Sequence, residues 1–223
     1  MLSAAKKEFI EFMMSADVLR FGDFVTKSGR NTPYFVNTGN YKTGLQSSKL
    51  GEFYAAFIKE TVGDCFDAMF GPAYKGIPLV TTTAGALARN YQIDKPYFFN
   101  RKEVKDHGEG GNTVGAPIKG HVVIIDDVIS AGTSVGESVK IIEACGAHPS
   151  GVLLALDRME CAGTAEKVAD RSAVEDVKAR YAMPVVAIAD LSDLMSFLKE
   201  TKDPELSAYQ EAISEYRRKY GSK

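Results

Sequence analysis

The chain has 223 residues, 45% hydrophobic and 25% charged, enough to bury a sizeable core without covalent staples. Lys and Arg number 27 against 29 for Asp and Glu, so no overall basic charge points to nucleic acid, and any cationic site must be local. The three cysteines, Cys65, Cys145 and Cys161, have no zinc or redox spacing and read as reduced core thiols, and no apolar run approaches the roughly 20 residues of a membrane span.

Near the N-terminus, Lys6, Lys7, Glu8 and Glu11 occupy the place where a signal peptide would need its apolar centre, so a soluble, cytoplasmic protein is expected. Ala5, Phe9, Phe12 and Met13 recur at helical spacing and predict a first amphipathic helix. The stretches FVT and YFVN then read as short strands around a turn at Ser28, Gly29 and Arg30. Together these segments form a small cap, or hood, mainly over residues 1–45.

After Ser47 the chain alternates. Leu50, Phe53, Phe57 and Ile58 mark a helix, DAMFG a strand, 77–89 a helix, PYFFN a strand, HVVII a strand and 135–144 a helix. GVLLAL then reads as a strand, 164–181 as a helix, PVVAI as a strand and 204–220 as a charged helix. Strands that are apolar almost throughout, separated by helices, imply a mostly parallel central sheet covered on both faces. The expected organisation is therefore one α/β domain over 1–223: the hood, a core of about 46–200 and a C-terminal helix at 203–220. The stretch RKEVKDHGEGGNTVGAPIKG, between Asn100 and His121, breaks the rhythm. It contains no convincing helix, is dense in glycine and charge, and reads as a lid loop.

The richest chemistry lies in VVIIDDVISAGTS. Asp126 and Asp127 end an apolar strand, where parallel sheets bind their ligands. Ser130, Ala131, Gly132, Thr133 and Ser134 follow; small residues let backbone N–H groups approach an anion, and the next helix adds its positive end. Adjacent carboxylates cannot share a phosphate with that loop, so they must meet hydroxyls, a metal or a developing cation. The pair of features fits a sugar phosphate. No G-x-G-x-x-G occurs, and the Walker-like spacing from Gly115 to Gly120 ends in His121 instead of lysine.

These residues carry a family resemblance. VVIIDDVISAGTS is similar to the phosphoribosyl-pyrophosphate (PRPP) motif of the type I phosphoribosyltransferases, and FGDFVTKSGRNTPYFVN, FGPAYKGIPL and FNRKEVKDHGEGG resemble that family's orotate-using branch. The resemblance implies the type I phosphoribosyltransferase fold and transfer of phosphoribose from PRPP to orotate. It also implies PRPP binding by Lys27, Tyr74, Lys75, Asp126, Asp127, Val128, Ile129 and the 130–134 loop. Orotate contacts fall on Phe35, Val36, Ser130 and Arg158; relatives often have an aromatic residue where Val36 stands.

For catalysis the resemblance implies a lid carrying Arg101, Lys102, Lys105 and His107. It further implies Mg2+ held mainly by PRPP and pyrophosphate without a protein metal cage, and a homodimer whose lid serves the neighbouring site. No nucleic-acid or membrane partner is expected.

Overall fold

The computed structural model describes residues 2–26, 28–105, 111–129 and 132–222, with backbone alone at 104, 105 and 111. The elements run α1 (Ala4–Ser15), β1 (Leu19–Val25), β2 (Asn31–Val36), a 3-10 turn (Thr38–Asn40), α2 (Gly44–Thr61), β3 (Ala68–Gly71) and α3 (Gly76–Tyr91). Then come β4 (Tyr97–Lys105), β5 (Gly111–Gly115), β6 (His121–Ile125), α4 (Thr133–Ala144), β7 (His148–Asp157), β8 (Cys161–Gly163) and β9 (Val168–Ser172). The chain closes with α5 (Ala173–Tyr181), β10 (Val185–Asp190), α6 (Leu191–Glu200), α7 (Pro204–Ser207) and α8 (Gln210–Tyr220).

Along β6 the period-2 alternation of a strand divides the apolar residues between two cores. Val123 and Ile125 join the layer that packs against α1, α2, α3, α6 and α8, whereas Val122 and Ile124 join the one under α4 and α5. Each fully buried side chain of this kind contributes about 1.5–3 kcal/mol, so a strand covered on both faces is held firmly. The central sheet has the order β10-β7-β6-β3-β4-β5, parallel throughout except for the antiparallel β4–β5 pair. The expected mostly parallel sheet with helices on both faces is therefore observed. The antiparallel β1–β2 hairpin lies outside that sheet, and Tyr34 from it reaches the core beside α8.

Four segments depart from the sequence expectation. The lid stretch between Asn100 and His121 is flanked by strand: β4 continues to Lys105, and Gly111–Gly115 pairs back against it. Its polar residues disguised a strand because β5 is a sheet edge, where side chains need not be apolar. Residues 164–181 are not one helix. Val168–Ser172 pairs with Cys161–Gly163, and α5 begins only at Ala173, where Ser172 and Glu175 form a reciprocal capping box.

Residues 204–220 divide into two helices, with the break at Ala208 and Tyr209. Finally, α6 follows β10 with no intervening loop, capped by Asp190 and Asp193, and the periodicity of Leu191, Leu194, Phe197 and Leu198 does carry it. Cys65 and Cys145 are exposed and only Cys161 is buried, which corrects the expectation of three core thiols. Among the described residues no helix is long and apolar enough to cross a membrane.

Candidate active site

The site lies at the carboxyl ends of the parallel strands. β6 delivers Asp126 and Asp127, and β7 locks their backbone: Asp126 donates its N–H to the Leu153 carbonyl at 3.0 Å, and Ala155 donates to the Asp127 carbonyl at 2.9 Å. From the hood side of the sheet, the buried Tyr54 hydroxyl donates to the Asp126 carbonyl at 2.7 Å. Both side chains are nearly enclosed, at 7% and 5% exposure, so their charges are meaningful only with partners.

Those partners are present. The Asp126 carboxylate accepts from the Asp127 N–H at 2.9 Å and from the Ser134 hydroxyl at 3.0 Å. Asp127 accepts from the Val128 N–H at 2.7 Å, from Lys75 Nζ at 3.0 Å and from the Thr38 hydroxyl. Burial, reinforced by the adjacent Asp127 charge, pushes Asp126 up to about 6, while the Asp127 N–H, Ser134 and Lys75 pull the other way.

Past the acids, Gly132 caps α4 with φ of 70°, a left-handed conformation that favours glycine, and it lends no side-chain cap. The first N–H groups of α4 thus face the loop without a side-chain acceptor, which suits an anion. Ser134 has its hydroxyl on Asp126, so among the described residues Thr133 and the backbone are the donors on offer here. Across the cavity stands the turn at residues 72–75. It is drawn tight by Gly71 and Gly76, where an added Cβ would collide with the facing backbone or with Pro72. The Asn100 side-chain oxygen takes the Ala73 N–H at 2.7 Å. Tyr74 and Lys75 of this turn, with Asp126, Asp127, Val128, Ile129, Gly132, Thr133 and Ser134, line one cavity of about 380 Å³.

A second cavity, of about 410 Å³, adjoins it and shares the wall residues Lys75, Val128 and Ile129. It brings together Phe35 and Val36 of the hood with Arg158, which directly follows β7. Residues 130–131, Lys27 and His107 lie outside the described residues, as does the side chain of Lys105. Arg101 and Lys102 line neither cavity; Lys102 instead pairs at 3.8 Å with Glu137 of α4. An exposed pair of that length contributes little.

Several supporting residues were not singled out from the sequence. Thr38, Tyr54 and Asn100 hold the acids or the opposite turn from distant elements, and nothing local in the sequence marks them. Glu160 carried a usable signal, being an acid two residues beyond Arg158; its carboxylate accepts from Arg158 Nη2 at 2.7 Å.

A family model described as "Phosphoribosyl transferase domain" matches residues 37–184. Orotate phosphoribosyltransferase of Cupriavidus necator is 54% identical over 213 residues, covering 96% of this chain and 93% of its own. The enzyme of that name from Bordetella petrii is 52% identical over 222 residues, covering 98% and 97%. The crystal structure of orotate phosphoribosyltransferase from Francisella tularensis matches with a TM-score of 0.84 at 40% identity, over 96% of this chain and 100% of that one.

Proposed function

The chain belongs to the phosphoribosyltransferase family and, over nearly its whole length, to the orotate phosphoribosyltransferases, and from that premise we propose that it transfers the 5-phosphoribosyl group of PRPP to orotate. The products are orotidine 5′-monophosphate and pyrophosphate, in de novo pyrimidine synthesis. The fold is the type I phosphoribosyltransferase fold. The observation that carries the assignment of roles is the pair of adjoining cavities, one acidic and phosphate-suited, the other lined by an aromatic residue and an arginine.

In this reading Asp126 and Asp127 accept hydrogen bonds from the ribose hydroxyls, and the 130–134 loop with the start of α4 receives the 5′-phosphate. The 72–75 turn and Lys75, with Lys27, meet the pyrophosphate. As the bond from the anomeric carbon to pyrophosphate breaks, its electron pair leaves with the pyrophosphate and the ribose becomes cationic. Lys75 stabilises the departing charge, and the buried acids stabilise the sugar. Phe35, Val36 and Ser130 flank the orotate ring, and Arg158 takes its carboxylate through a planar fork that suits two parallel hydrogen bonds. Arg101, Lys102, Lys105 and His107 close over the pyrophosphate and exclude water.

Magnesium suits the hard oxygen donors at the cavity wall, yet among the described residues no three acidic, histidine or cysteine side chains converge. An ion held mainly by PRPP and pyrophosphate oxygens would lie near Asp126 and Asp127 in this reading. When bound it supplies neutralisation of the phosphate charge. The chain works as one domain with its hood at 1–45, as a cytoplasmic homodimer whose lid serves the neighbouring site.

A steady-state assay tests the substrate assignment: with PRPP and Mg2+, orotate is expected to be used far better than uracil or any purine base. Preference for one of the latter would overturn it.

A further inference from the structure

Resting on the reading of Arg158 as the orotate carboxylate's partner, we propose that Glu160 is a positioning residue that sets acceptor selectivity through Arg158. Glu160 is the hub of a buried network that no single segment contains. Its Oε1 accepts from Arg158 Nη2 at 2.7 Å and from the Tyr34 hydroxyl at 3.0 Å, and its Oε2 lies 3.8 Å from Arg30 Nη1. Arg30 is itself immobilised: it donates to the carbonyls of Cys161 at 2.9 Å and Ala162 at 3.3 Å, and its guanidinium lies 4.6 Å from the centre of the Tyr220 ring. Arg158 sits over the Tyr34 ring at 5.6 Å.

Charge decides what this arrangement can do. Glu160 by itself would neutralise Arg158 and remove its attraction for a carboxylate. Arg30, on the other side of Glu160, restores the balance, so the two guanidinium groups and one carboxylate leave one net positive charge. That charge is expressed at Arg158, whose side chain is 25% exposed against 3% for Arg30 and 14% for Glu160. Arg158 Nε is buried without a hydrogen-bond partner among the described residues, so with Nη2 on Glu160 the donors open to a ligand lie at the Nη end of the guanidinium. The bond to Glu160 and the Tyr34 ring restrict how the guanidinium can turn, and Arg158 lines the cavity shared with Phe35 and Val36.

The test is steady-state kinetics of the full chain for wild type, Arg158→Lys, Glu160→Gln and Glu160→Ala, varying orotate and PRPP separately. Glu160→Ala should raise the orotate KM about tenfold or more, the scale of one charge-assisted hydrogen bond, and leave the PRPP KM within about twofold. Glu160→Gln, which keeps an acceptor for Arg158 and Tyr34, should fall between. Inhibition by a pyrimidine lacking the carboxylate should be the same in wild type and both Glu160 variants. If Arg158→Lys leaves the orotate KM unchanged, the reading of Arg158 fails. If Arg158→Lys raises it but Glu160→Gln and Glu160→Ala do not, or if the carboxylate-free inhibitor weakens equally, the positioning role of Glu160 is overturned.

Discussion

The acidic pair after β6 and the antiparallel β4–β5 pair proposed to carry the lid are built at opposite positions of one sheet. β6 is interior, flanked by β3 and β7, with apolar layers on both faces; the only groups it leaves for chemistry are those just past its end. Asp126 and Asp127 are accordingly buried and bonded at every turn. β5 is an edge strand with a partner on one side only, and Lys102 and Glu103 of its neighbour β4 are exposed. A sheet centre supplies fixed geometry, needed where hydroxyls must meet carboxylates within a few tenths of an ångström. A sheet edge tolerates exposed cations such as Lys102, whose pairing with Glu137 is long and solvent-screened.

The contrast is broken most severely at the lid. Lys105→Ala is expected to lower kcat by about two orders of magnitude or more while PRPP still binds, measured by single-turnover assay beside calorimetric titration. Unchanged turnover would remove Lys105 from the chemistry. At the sheet centre, Asp127→Asn should act on binding instead. It removes the charge facing Lys75, and the PRPP KM should rise about tenfold to a hundredfold with a smaller change for orotate.

Thr38→Val asks whether the hood helps to hold Asp127. Loss of one hydrogen bond, about 1 kcal/mol, predicts a PRPP KM about fivefold higher with the orotate KM little changed, and an equal rise in both would reassign Thr38 to general hood packing. The smallest effect concerns pH. Asp126 is raised to about 6, chiefly by burial and then by the Asp127 charge. Its proton is therefore held more tightly folded than unfolded, so its contribution to stability falls as pH rises from about 4 to about 6. Donor binding runs the other way, because the ionised acid accepts from hydroxyls through stronger, charge-assisted bonds than the protonated one. PRPP affinity should weaken as pH drops through about 6, and a pH series of titrations on wild type and Asp126→Asn should show that inflection only in the former.

How much of this could be read from the chain depended on whether the signal was local. The strand-acid-loop-helix unit is contiguous, so its apolar run and paired acids announced the end of a parallel strand, with α4 following as expected. The capping box at Ser172 and Glu175 was equally local, yet the helix-compatible composition of residues 164–172 hid the β8–β9 pairing, which depends on a partner segment. The edge strand β5 was missed for a related reason: with one face and one side open, its residues lack the apolar alternation that marks a strand.

By itself, the sequence determined the α/β class, the strand end that carries Asp126 and Asp127 and, through resemblance, the orotate-using branch. Tertiary structure alone decided which groups hold that motif in place. Thr38, Tyr54 and Lys75 reach the acids across 89, 72 and 52 positions of chain, and Tyr34 and Glu160 meet across 126. Such contacts leave no periodicity, because hydrogen bonds of this kind are set by how helices and hairpin pack on the sheet, and packing is a property of the whole apolar core and not of any window along the chain.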